Sequence, residues 1–227
     1  MRIIDLGTLA YREAWREQQR LHEQVVAGAE EAIVLLEHPP VITMGRRGET
    51  LGVRNLRVSA EALQSRGVEF VQTDRGGDIT FHGPGQLVTY PIIRLTDHNL
   101  SVGGYVGALQ EAVIRTLREF GIQSSTDRAG VGVWVHPSTA TEPANAPEAA
   151  GEARKIAAIG VRVKRGVTMH GLALNVTTDL SYFQLIVPCG IADRGVTSLK
   201  QLLGEQCPTM ERVKSVLVGK LQEAIGW

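Results

Sequence analysis

The sequence predicts an α+β domain, a mixed α/β sheet with helices packed on it. Short apolar runs of strand length, such as AIVLL at 32–36 and VGVWV at 131–135, alternate with stretches of helical period around 11–25, 105–120 and 213–225. Two β runs in the second half meet at Lys164-Arg165-Gly166, which reads as a hairpin turn. Strands interspersed with helices favour a sheet-and-helix layer architecture over an all-α or all-β one. The 227 residues are enough for one large core, so 1–227 is read as a single domain.

Taken in order, Thr8 is expected to cap a helix in which Tyr11, Ala14, Trp15, Leu21 and Val25 recur near helical spacing and Gly28 ends the run. The continuous apolar run at 32–36 suits a strand covered on both faces, stopped by Pro39-Pro40. Residues 41–44 extend again. Gly45-Arg46-Arg47-Gly48 then reads as a flexible basic turn, either a solvated loop or a face for an acidic partner. A short helix over 59–66 closes at Gly67, and 68–72 returns as a strand.

The densest passage is 74–92, DRGGDITFHGPGQLVTYPI, with two glycine turns around the extended run Asp78-Ile79-Thr80-Phe81-His82. It is either a β-hairpin or a loop that brings backbone close to a ligand. The strand that follows is expected to stop near Pro91. A second long helix begins at Ser101, with Tyr105, Leu109, Val113, Leu117 and Phe120 as its core stripe and Gly121 at its end. Residues 137–151, PSTATEPANAPEAAG, carry three prolines and five alanines with almost nothing bulky, which predicts an exposed mobile excursion. After the hairpin strands at 155–163 and 167–176 come short helices near 180–183 and before Gly204. A last helix is capped by Thr209, with Val213, Val216, Leu217, Leu221 and Ile225 as its buried side.

Hydrophobic residues at 43% and charged residues at 21% are those of a soluble globular protein. No apolar run approaches the ~18 residues of a membrane span, and the opening MRIID is no signal peptide, so a cytoplasmic protein is expected. Lys plus Arg and Asp plus Glu are 24 each, against the strongly basic surface that nucleic acid calls for. HExxH, CxxC and GxxxxGK[ST] are absent, which speaks against a metal centre and against the common nucleotide cradle.

Cys189, between Pro188 and Gly190, stands where a nucleophile is exposed on a turn, although a buried thiol is the commoner fate of a cysteine. A free thiol, with a pKa of about 8.5, needs a nearby base or cation. His82, His170 and Lys155 are the candidates: histidine as a base near neutrality, lysine either as a base if burial or like charge depresses its pKa or as a cation that favours the thiolate. Cys207, ahead of Pro208, reads as structural or incidental.

Several of these segments resemble the lipoyl(octanoyl) transferases. RGGDITFHGPGQLVTYP at 75–91 is similar to that family's signature. KIAAIGV at 155–161, HGLALN at 170–175, PCGI at 188–191 and GVTSL at 195–199 match its later blocks in order, and EHPP at 37–40 with Gly45-Arg46 an earlier one. The resemblance implies transfer of an octanoyl group from octanoyl-acyl carrier protein to a lysine of lipoyl domains, those of 2-oxoacid dehydrogenases and of the glycine cleavage H protein. The implied fold is that of the biotin and lipoate protein ligases.

On this reading Cys189 is the acyl-thioester nucleophile and Lys155 its partner, with no metal and no cofactor. Substrate contacts are implied for Arg75, Gly76, Gly77, Asp78, Ile79, Thr80, Phe81 and His82, for Ala158, Ile159 and Gly160, and for Gly171, Leu172 and Ala173. Ile79, Ile159 and Leu172 are expected to line a slot for the alkyl chain. The excursion at 137–151 is longer than the family's usual turn. Two rival readings stand beside this one: an ATP-dependent lipoate or biotin protein ligase, and a non-catalytic module that binds lipoyl domains or carrier protein.

Overall fold

The computed structural model describes residues 1–51, 55–128, 130–136, 153–187 and 195–227. The expected excursion at 137–151 lies outside the described residues, and so does Cys189.

Two sheets carry the fold. Among the described residues the larger has seven strands in the order β1-β2-β6-β10-β9-β8-β7, formed by β1 (Arg2–Thr8), β2 (Ala32–Glu37), β6 (Gln86–Ile92), β7 (Ser125–Asp127), β8 (Gly130–Val135), β9 (Arg154–Lys164) and β10 (Val167–Asn175). All its pairings are antiparallel except that of β1 with β2. The smaller sheet orders β4 (Glu69–Gln72), β3 (Val41–Met44) and β5 (Ile79–His82) as β4-β3-β5.

Helices cover both faces of the large sheet. Two of them, α4 (Val102–Glu119) and α6 (Met210–Ile225), pack on the face that presents Ile33, Leu35, Leu87, Leu172 and Leu174. On the opposite face α1 (Tyr11–Val26) meets Val34, Leu36, Val88, Tyr90 and Ala173. Successive residues of β2 thus enter different cores, as a continuously apolar strand requires. The α4 and α6 stripes follow the 3.6-residue period, and Ser101 and Thr209 cap these helices by accepting from Gly104 N and Arg212 N. The small sheet has its own core, where Ile42, Ile79 and Phe81 meet Phe183 and Leu185 of a 3-10 segment. Three shorter helices, α2 (Arg46–Leu51), α3 (Ala60–Ser65) and α5 (Leu199–Leu203), complete the described elements used below.

Several local expectations are corrected. Thr8 does not cap α1: it ends β1, Leu9 N donates to Glu37 O, and the helix starts after Ala10 without a side-chain cap. The basic turn at Gly45-Arg46-Arg47-Gly48 opens α2. Its first donors, Arg46 N and Arg47 N, reach Arg75 O and Gly77 O, so carbonyls of the glycine loop satisfy groups that a free turn would leave to water. The passage at 79–92 is no hairpin, because β5 pairs with β3 in the small sheet and β6 joins β2 and β10 in the large one. Gly83-Pro84-Gly85 is the crossing between sheets, with Gln86 N donating to Gly83 O and Gly85 at φ +78. Proline second and a positive-φ glycine third is the pattern of a type II turn.

β6 also runs through Pro91 to Ile92. Pro91 lies beyond the residues that β6 pairs with β10, and Thr168 Oγ1 donates to Pro91 O there. The β9–β10 hairpin is as expected. Its turn residues Arg165 (φ +51) and Gly166 (φ +77) both take the left-handed conformation that a tight two-residue turn demands.

Candidate functional site

A cavity opens between the α1 face of the large sheet and the underside of β5, and its floor is defined by what the central strands leave out. One row of cross-strand neighbours runs Val88–Ala173–Ala158–Gly132, and a shorter one pairs Gly171 with Gly160. In the middle of the first and throughout the second the side chains are no larger than a methyl group. The layer that would normally fill the space over β9 and β10 is therefore missing, and Ala158, Gly160, Gly171 and Ala173 line a hollow. Ile79, Thr80 and His82 of β5 form its roof, Phe183 and Val196 stand at one side, and Tyr11, Tyr90 and His170 stand at another. Ile159 and Leu172 also line it, although both belong to the core cluster under α4 and α6.

The loop from Arg75 to Asp78 closes this roof because glycine lets it descend onto the sheet. Gly76 N donates to Val161 O at 2.9 Å, and a Cβ on Gly160 would stand 2.7 Å from Gly76 O. Arg75 folds back beneath its own loop. Its guanidinium donates to Thr43 O (2.8 Å), Thr43 Oγ1 (3.0 Å), Gly76 O (3.0 Å) and Asp78 O (2.7 Å). These charge-assisted bonds hold the backbone that faces the cavity. Asp78 is buried and accepts from Asn55 Nδ2 at 2.6 Å.

Lys155 reaches the same cavity from β9 and is only 9% exposed. Its Nζ donates to Val131 O at 3.1 Å and stands 4.7 Å from the centre of the Trp134 ring. Gly132 creates the room for this path: at φ +145, a Cβ there would meet Ala157 O at 2.6 Å and Lys155 Cε at 3.1 Å. A register shift between Val133 and Trp134 breaks strict alternation beside Lys155. The Lys155 main chain is held on both sides, with Lys155 N donating to Gly195 O and Thr197 N to Lys155 O.

The inner wall, made by Tyr11, His82, Tyr90 and His170 with His38 behind Tyr90, is a set of neutral imidazoles and phenols. His38 Nδ1 donates to Leu9 O at 2.7 Å, which leaves Nε2 to accept from the Tyr90 hydroxyl at 2.8 Å. Burial lowers the His38 pKa to about 4 and raises that of Tyr90 well above the usual phenol range. His82 is pushed well down, first by burial and then by the charges around it, and its ring stacks on Tyr11. His82 Nδ1 donates to Gln86 Oε1 at 2.7 Å. His170, a non-glycine residue at φ +56, falls to about 3 through burial and then through Arg75 and Arg162. Its Nε2 donates to Asp74 Oδ1 at 2.8 Å, and Arg162 pairs with the other oxygen of that carboxylate. A positive φ on a β-strand histidine is strain that the surrounding bonds must hold.

Of the residues singled out from the sequence, Arg75, Gly77, Asp78, Ile79, Thr80, His82, Lys155, Ala158, Ile159, Gly160, Gly171, Leu172 and Ala173 all line this one cavity. Gly76 contributes through the backbone bond to Val161. Phe81 points into the small-sheet core, stacked on Tyr182 with ring centres 4.7 Å apart. Sequence reasoning missed Tyr11, Gln86, Gly132 and Asn175. Gln86 and Asn175 stand in recognisable blocks, but their mutual contact spans 89 positions and has no local signal. Cys207, a free and partly buried thiol beside Val176, is not part of this lining. Among the described residues no group of three His, Cys, Asp or Glu side chains is placed to hold a metal ion.

Two packed sheets enclosing an apolar cavity with a buried lysine define a protein of the biotin/lipoate protein ligase-like fold. Lipoate-protein ligase A bound with ATP shares that fold at a TM-score of 0.75, with 99% of this chain and 85% of that chain covered and 14% identity. The Lipoyl protein ligase A/B catalytic domain model matches residues 10–222. The octanoyltransferase of Chloroflexus aggregans is 45% identical over 221 residues, 96% of this chain and 92% of the relative. That of Mycobacterium leprae is 46% identical over 226 residues, 99% of this chain and 88% of the relative. The chain belongs to the lipoyl protein ligase A/B catalytic domain family and, within it, to the octanoyltransferases. Among the described residues no helix is long and apolar enough to cross a membrane.

Proposed function

We propose that this octanoyltransferase carries the octanoyl group as a thioester on Cys189, with Lys155 as the charged partner that favours the thiolate and moves protons. The donor is octanoyl-acyl carrier protein and the acceptor is a lysine of a lipoyl domain, in 2-oxoacid dehydrogenases or the glycine cleavage H protein. In the first step the Cys189 thiolate attacks the donor's thioester carbonyl, and the carrier's thiol leaves with a proton. In the second, the acceptor's neutral amine attacks the Cys189 thioester, forms the amide and expels the thiolate. Lys155 shuttles the proton between leaving thiol and incoming amine. Each step exchanges one acyl bond for another of equal or lower energy, so no ATP is consumed.

The observation that carries the choice of Lys155 is the state of its rivals. His82 and His170 are both held neutral by burial, with pKa values far below neutrality, and each already commits one ring nitrogen to a hydrogen bond. Neither suits a base working near pH 7. Lys155 lines the same cavity as the small-residue floor, where an alkyl chain replaces missing side chains at about 0.8 kcal/mol per buried methylene.

The test is octanoyl transfer to an isolated lipoyl domain in the absence of ATP, measured for the native chain, Cys189→Ala and Lys155→Ala. Transfer abolished by Cys189→Ala and slowed severely by Lys155→Ala is expected. A strict ATP requirement, with Cys189→Ala active, would establish the ligase reading instead; near-native rates for Lys155→Ala would return the proton transfer to a histidine.

A further inference from the structure

Among the described residues a directed line of side-chain hydrogen bonds runs from beneath the Arg75 loop, through the wall of the cavity, to the segment that holds Lys155. Arg75 donates to Thr43 Oγ1, and the Thr43 hydroxyl approaches His82 Nε2 at 3.4 Å. His82 Nδ1 donates to Gln86 Oε1 at 2.7 Å. Gln86 Nε2 donates to Asn175 Oδ1 at 2.9 Å, and Asn175 Nδ2 donates to Thr197 O at 3.0 Å. Direction is fixed at both ends of this line: an arginine only donates, and a backbone carbonyl only accepts.

Thr197 is the residue whose own N–H donates to Lys155 O, two positions after Gly195 accepts from Lys155 N. Val196 bridges to Lys155 between them. The Lys155 main chain is thus clasped by 195–197, and on the far side of that clasp Thr197 O accepts from the buried Asn175 amide. Asn175 is 4% exposed and lines the cavity, so its amide faces away from bulk water. A neutral amide buried in such a place is costly unless both ends are bonded, as the Gln86 and Thr197 contacts provide.

We propose that Asn175 is a positioning residue for acyl transfer, acting through the Thr197 carbonyl to set where Lys155 stands over the cavity. The inference rests on the assignment of Lys155 above and adds to it the residue that aims it. Gln86 orients Asn175 by occupying its Oδ1, which leaves Nδ2 directed at Thr197. In this role Asn175 acts through Lys155 and takes no part in the bond changes itself.

Asn175→Asp tests this with near-identical shape. The carboxylate still accepts from Gln86, but it has no hydrogen for Thr197 O and presents a second acceptor to it. The expected result is a fall in kcat for octanoyl transfer of tenfold or more, with the donor KM within twofold and the melting temperature within a few degrees of the native chain. In a Lys155→Ala background the same substitution is expected to leave the residual rate unchanged, because the group it aims is gone. A purely structural role would instead lower stability and cut the rate by the same factor in both backgrounds, and that outcome overturns the proposal.

An unchanged kcat in Asn175→Asp overturns it too. Should that variant fail to fold, Asn175→Ser, which withdraws the reach to Thr197 without adding charge, is judged by the same criteria. Failure of the Lys155 assignment itself has a different signature, a Lys155→Ala single variant with native rates.

Discussion

Ala173→Val probes the floor of the cavity, where two added carbons have a predictable effect on the alkyl chain. Ala173 sits between Val88 and Ala158 in the row of side chains that the hollow interrupts, and it lines that hollow. Valine suits a strand, so the sheet has no reason to reject it. Its two added carbons project into the space that the alkyl chain is proposed to fill. Each displaces about one methylene, worth about 0.8 kcal/mol, for a loss of about 1.6 kcal/mol or roughly 15-fold in octanoyl affinity. A hexanoyl chain, two methylenes shorter, avoids the intrusion. The assay is kcat/KM with octanoyl- and hexanoyl-carrier protein. The native chain is expected to favour octanoyl, and the variant to lose about 15-fold with octanoyl while changing little with hexanoyl. Equal losses with both donors, or no loss with either, would show that the alkyl chain does not lie on this floor.

Three further outcomes follow from the same geometry. Gly132→Ala sets a methyl against Ala157 O and the Lys155 side chain, so transfer is expected to fall more than tenfold; native rates would mean that Lys155 does not need this path. His38 and His170 stay neutral in the folded chain down to about pH 4 and about pH 3, whereas in the unfolded chain they take protons near their ordinary value of about 6.5. Their stabilising effect is therefore complete above about pH 6.5 and is lost progressively as pH falls toward the folded values, so the urea midpoint should drop between pH 7 and pH 5. A flat midpoint would contradict the burial argument, and His38→Gln should make the slope shallower. Arg46 and Arg47 expose their side chains on α2, and replacing both with alanine should weaken carrier-protein binding at low salt more than at high salt; equal affinity would leave them as ordinary surface.

How much of this was legible in the sequence depended on whether a signal was local. Strands β2 and β8, helices α4 and α6 and the β9–β10 hairpin all announced themselves by period and turn chemistry, since each decides its state within a dozen residues. Strand β1 did not: it is an edge strand with an alternating, half-exposed pattern that includes Ile3, and nothing nearby marks it. The passage at 74–92 reads from sequence as either a hairpin or a loop at a ligand, because glycine turns between extended runs serve both. Only tertiary pairing sends β5 and β6 into different sheets. Arg75 to His82 were identifiable as a dense special segment, but that Arg75 supports the loop from beneath needed Thr43, 32 positions away. The cavity floor was hidden for a simpler reason: a hollow made by small residues on two strands becomes visible only when Gly160 and Gly171, and Ala158 and Ala173, are known to be opposite each other.

The central claim is that the octanoyl group passes through Cys189. Intact mass of the native chain after brief incubation with octanoyl-carrier protein, without ATP or acceptor, tests it most directly, with peptide mapping to find the modified residue. One octanoyl group on Cys189 is expected, removed by hydroxylamine and discharged on adding a lipoyl domain. A folded chain that gains no acyl group, or one acylated at Cys207 instead, would contradict it.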